Sequence, residues 1–124
     1  MFNINDDLDY FTREEFACQY TGENEISDRL LLNLDLLRRK CGFPFVITSG
    51  YRDPSHPIEA RKEKVGTHAQ GIAADIKVND GTQRYKLVNE AIKMGFTGIG
   101  IAGEFVHVDI RDLDGNESPV MWCY

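Results

Sequence analysis

The sequence predicts an α+β fold in which a mostly antiparallel sheet packs against helices from the N-terminal and middle parts of the chain. Three observations predict it. The clearest helical periodicity comes early, in SDRLLLNLDLLRRKCG. The strand-like runs rich in β-branched residues, FVITS, IAADIKV and FVHVDI, come later. The link from GIGIAG to FVHVDI is a tight Gly103-Glu104 turn and not a helical crossover, which argues against repeated βαβ units. With 124 residues, one domain over 1–124 is expected.

Each element has a local reason. Thr12-Arg13-Glu14-Glu15 has the form of a capping box and predicts a short helix through about Cys18. Ser27 caps the next helix, where Leu30, Leu34 and Leu37 recur at helical spacing. Its last turn holds Arg38, Arg39 and Lys40, and Gly42 sits where a C′ residue belongs. Residues 45–48 read as a strand that breaks at Gly50. Residues 53–65, with two prolines and mixed charge, read as a surface loop of the kind that often carries function. IAADIKV, from Ile72, is the next strand. Thr82 opens a third helix, QRYKLVNEAIKM, which stops at Gly95. GIGIAG and FVHVDI are further strands, and VMWCY is a last one.

Composition narrows the function. Hydrophobic content of 42% and charged content of 27% are those of an ordinary globular protein. No apolar run reaches 18 residues, so no membrane insertion is expected. The acidic start MFNINDDLDYF lacks a basic region followed by an apolar core, which predicts no signal peptide and a cytoplasmic site of synthesis. A net charge of −6 argues against nucleic acid as a partner. Cys18, Cys41 and Cys123 form no CxxC pair and read as reduced, small buried hydrophobes. A monomer is expected.

The chemistry concentrates in GTHAQGIAADI and EFVHVDI. His68, Asp75 and His107 are two imidazoles and a carboxylate, a common catalytic zinc set that leaves a fourth position for water. Asp75 sits on one predicted strand and His107 on another; neighbouring strands would aim both into one spot, with His68 brought over by a loop. Gly71, Ala73 and Ala74 are small enough to let that loop approach the metal. Glu104, three residues before His107, reaches the metal if Gly103 permits a turn or bulge, and there it would act as general base. Arg52, at the end of SGYR, can hold a developing oxyanion or a carboxylate. Tyr51 and His56 are further candidates for substrate contact, against simpler readings as a core aromatic and a loop histidine. Asp109 reads as a group that orients an imidazole or pairs with Arg111.

SGYR, then THxxGxAxD, then ExxHxD, in that order, resembles the zinc D-alanyl-D-alanine carboxypeptidase family of the hedgehog/DD-peptidase superfamily. The likeness runs from about Phe11 to the C-terminus, and FTREEFAC is similar to the lead-in of the phage-associated branch. Thr67 stands where that family has serine. The loop HPIEARKEKVG lacks its usual asparagine and paired glycines, and EFVHVDI is poorer in aromatics. The resemblance implies Zn2+ held by His68, Asp75 and His107, with Glu104 as base and Arg52 as clamp. It implies a metallopeptidase acting on peptidoglycan stem peptides, carboxypeptidase-like or endolysin-like, that meets the bacterial cell wall after release. The alternatives are a zinc-holding, catalytically inactive binding module and a phage structural module of the same fold.

Overall fold

In a computed structural model that describes residues 3–63, 65–111 and 117–124, the chain forms an α+β fold with a five-stranded sheet. Helix α1 (Asp28–Cys41) starts where Ser27 Oγ accepts the Leu30 amide hydrogen at 3.3 Å and stops at Gly42, whose φ of 76° closes it. Leu30, Leu31, Leu34 and Leu37 are its buried stripe. Asp35 is buried on the same helix and accepts the backbone N–H groups of Asp9 and Tyr10, pinning the N-terminal segment to it. The capping box at Thr12 is present, but it opens a single 3₁₀ turn over Arg13–Phe16 where a short helix was expected. A second 3₁₀ turn spans Ile4–Asp7.

Strand β1 (Ile47–Ser49) is followed by a loop that holds a one-turn helix, α2 (Pro57–Ala60), with His56 as its N-cap. The other elements are β2 (Ala73–Lys77), α3 (Gly81–Met94), β3 (Gly98–Ile101), β4 (Phe105–Asp109) and β5 (Val120–Cys123). Asp80 caps α3, accepting from the Gln83 amide, so the helix begins ahead of the expected Thr82.

The sheet order is β1-β2-β4-β3-β5. It is mixed: β1/β2, β2/β4 and β3/β4 pair antiparallel, and β3/β5 pair parallel. Both edges of β4 are taken by β2 and β3, so the returning chain is left the outer edge of β3, along which it runs parallel. One sheet face, with Ala74, Ile76, Val106, Val108 and Ile99, joins the core built by α1 and α3. Cys18 and Cys41 are buried as expected of small hydrophobes. Cys123 is exposed, because β5 lies at the sheet edge.

Candidate metal centre

The strand registers carry one row of residues across the polar face of the sheet. Ser49 pairs with Asp75, Asp75 with His107, His107 with Gly100 and Gly100 with Trp122. His68 reaches this row from the turn that precedes β2. That turn is fixed to the end of β1: the His68 carbonyl accepts from the Arg52 amide, and the Gly50 carbonyl accepts from His68 Nδ1 at 2.8 Å.

His68, Asp75 and His107 come together. His68 Nε2 lies 3.2 Å from Asp75 Oδ1, His107 Nδ1 lies 3.1 Å from the same oxygen, and the two ring nitrogens are 3.2 Å apart. All three residues are buried, at 4%, 4% and 3% exposure. The outer nitrogens decide what these inner atoms are. A carbonyl only accepts, so His68 Nδ1 carries its proton. His107 Nε2 donates to Asp109 Oδ2 at 2.7 Å. While both rings are neutral, two lone pairs and a carboxylate oxygen therefore face one another, and either a proton between them or a bound metal ion relieves that repulsion. A tetrahedral zinc with ligands at about 2.0–2.1 Å spaces them about 3.3–3.4 Å apart, close to this triangle. The donor set and its spacing fit such an ion.

Asp109 is the support beneath His107. It is fully buried, accepts two hydrogen bonds from the Arg111 guanidinium (2.7 and 2.9 Å) and one from the Arg111 amide, and so holds the imidazole in one tautomer. Burial alone would raise its pKa, yet the hydrogen bonds from His107 and Arg111 bring it down to about 2. Asp75 is likewise buried, and its bonds to His107 and His68 hold it well below the usual carboxylate range. Burial pulls His107 down, but Asp109 and Asp75 outweigh it and raise the imidazole above its ordinary value.

The sign of a pH dependence follows. In metal-free protein the proton on His107 contributes stability that is fully present below the unfolded pKa of 6.5 and is lost as pH rises through the raised folded value. A zinc ion held by these three residues would take that proton's place. The metal-free protein is therefore expected to melt lower at about pH 9 than at about pH 6, with zinc adding more stability at the higher pH. Thermal unfolding with chelator and with zinc measures this, and an equal gain from zinc at both pH values would contradict it.

Two glycines make room for the supports. A Cβ on Gly98 would lie 2.2 Å from both Asp109 carboxylate oxygens, and one on Gly100 would lie 2.7 Å from the Trp122 ring. With β3 bare on this face, Trp122 packs at a tilt against His107 (ring centroids 5.0 Å) and Arg111 lies over the indole. Phe105 and Tyr124, 5.2 Å apart, continue this wall.

The cleft above the triangle has a volume of about 560 Å³ and is lined by Arg52, Lys62, Phe105 and Trp122 among others. Arg52 belongs to it. Its guanidinium lies 3.6 Å from Asp75 Oδ2 and 3.4 Å from Glu59 Oε2, and its Nε donates to Ser49 Oγ. The other predicted contacts lie elsewhere. Tyr51 is buried in the core, its amide bonded to the Phe16 carbonyl. His56 is occupied as a helix cap, accepting from the Ile58 amide and meeting Tyr20 edge-on. Neither lines the cleft. Glu104 is exposed in the turn before β4, with its carbonyl accepting from the Val78 amide, and its side chain is not part of the cleft wall. Phe105, Asp75 and His107 do line that cleft; the chain turns into its strand only after Glu104.

Two features escaped the sequence reading. Glu59, inside the loop taken as surface, is a buried acid beside Arg52; within IEARKEK nothing separates it from a solvated charge. Trp122 reads from the sequence as a core or cleft-wall aromatic and does line the cleft. That Phe105 and Tyr124 join it in one wall was hidden because the pairing partner of β5 is not its chain neighbour, although the alternation of Gly98 and Gly100 was a sign that something large crosses β3.

A family model described as Peptidase M15 matches residues 9–109. No curated protein matches the chain. Among the described residues no helix is long and apolar enough to cross a membrane.

Proposed function

Because the chain belongs to the peptidase M15 family, we propose that it is a zinc metallopeptidase hydrolysing peptide bonds of bacterial peptidoglycan stem peptides. The observation that carries this reading is the buried triangle of three acceptor atoms, each ring anchored from behind, at the floor of a cleft that also holds an arginine. His68, Asp75 and His107 would hold the ion. When bound, zinc supplies Lewis acidity to a water and to the scissile carbonyl. Arg52 binds the carbonyl oxygen as it gains charge, or a substrate carboxylate. Lys62 and Arg111 also line the cleft, and Phe105, Trp122 and Tyr124 offer apolar surface to the peptide. We assign the general base to Glu104, which takes the proton from water and returns it to the leaving amine. That assignment rests on the ExxH spacing and on the place of Glu104 in the turn directly before β4, whose Phe105 and His107 line the cleft. The FTREEFAC lead-in supports a role in phage lysis.

The exposed Glu104 favours one second reading, a zinc-holding module that captures peptide without cleaving it. One experiment separates the two. Zinc-loaded wild type and Glu104→Ala are incubated with purified murein and the products weighed by mass spectrometry. Wild type is expected to release D-alanine or shortened stem peptides, and Glu104→Ala to release none while holding a full zinc equivalent. No product from zinc-loaded wild type would establish the capture reading. Near-wild-type turnover by the variant would remove Glu104 from the mechanism.

A further inference from the structure

Arg52 faces two carboxylates. Asp75, the metal-facing acid, lies 3.6 Å from its Nη2, and Glu59 lies 3.4 Å from its Nη1. An arginine free to choose would close fully onto Asp75 as a bidentate pair and compete for the charge that a metal needs. Glu59 opposes that movement. Its side chain is only 2% exposed, and its Oε2 also accepts from Lys62 Nζ at 2.9 Å. Among the described residues Oε1 has no hydrogen-bond partner. A half-satisfied buried carboxylate is costly in a loop on stability grounds alone. The loop packs closely around it: a Cβ on Gly66 would lie 2.8 Å from Glu59 Oε1 and 2.8 Å from Lys62 Nζ, so a larger residue there would push the ends of this pair aside.

We propose that Glu59 is a positioning residue that draws the Arg52 guanidinium away from Asp75, keeping the carboxylate for the metal and the guanidinium for substrate. This rests on the reading of His68, Asp75 and His107 as metal ligands. Its consequence is thermodynamic coupling: charge at position 59 governs zinc affinity through Arg52 and hardly at all without it.

A double-mutant cycle tests this through zinc affinity, measured by chelator competition on the full chain and independent of any hydrolysis. Glu59→Gln, which keeps the shape and removes the charge, is expected to weaken zinc binding about tenfold. In an Arg52→Ala background the same change is expected to weaken it less than twofold. An unaltered affinity in Glu59→Gln, or an equal loss in both backgrounds, would overturn the proposal. If Glu59→Gln does not fold, recovery of folding by adding Arg52→Ala supports it and failure of both proteins overturns it. Wild type that binds no zinc at all would sink the metal reading itself, a result distinct from a zinc-binding wild type without coupling.

Discussion

His107→Ala is expected to lose zinc at concentrations that saturate the wild type. The substitution removes one of the three proposed ligand atoms and leaves Asp109, itself held by Arg111, without the imidazole it supports. Loss of an outer partner of a metal-binding histidine costs roughly 10- to 100-fold in affinity. Loss of the ligand itself should exceed about 100-fold, and any hydrolysis should vanish with the metal. Metal analysis after gel filtration reads the outcome. His56→Ala is the control, because that imidazole caps α2 away from the cleft, and it should keep a full equivalent. A full zinc equivalent in His107→Ala would contradict the ligand assignment. Asp109→Ala should fall between the two, since it frees the ring without deleting it.

Among the described glycines, Gly71→Ala should be the most damaging added methyl group. Gly71 has φ of 75°, in the left-handed region, and its Cβ would lie 2.1 Å from the Glu25 carbonyl oxygen. Backbone cannot yield as a flexible side chain does. The left-handed penalty and the overpacking together come to about 3 kcal/mol, or a melting temperature lower by roughly 10 °C for a domain of this size. Gly103→Ala is the comparison, with nothing within 4 Å of its Cβ, and should change stability by less than about 0.5 kcal/mol. Equal melting temperatures for the two variants would mean that this turn does not pack as described. The glycine's role also differs from the one its position suggests. It does not thin the loop toward the metal; it seats the His68 turn against the segment that leads into α1, where the Ser27 amide bonds the Gly71 carbonyl.

Much of the fold is legible in the sequence because its signals are local. A serine cap, a leucine stripe and a terminal glycine delimit α1 within a single stretch of chain. The same holds for β2 and β4, whose runs of Ala, Ile and Val need no partner to be recognised. His68, Asp75 and His107 stand out because few other roles bring two histidines and a buried aspartate into so spare a pattern of small residues. Arg52 stands out as the cation that ends SGYR.

What the sequence by itself determined, then, is the longer helices and the strands, and the three residues, His68, Asp75 and His107, that meet at the candidate metal site. Only the tertiary structure decided which side chains share the cleft. It sent Tyr51 into the core and His56 to a helix end, left Glu104 at an exposed turn, and brought in Glu59 and Tyr124. The physical reason is that helix caps and strand periodicity act over a few residues. The cleft, in contrast, is made by register across five strands and by a loop folded back on β1, whose partners lie tens of residues apart along the chain.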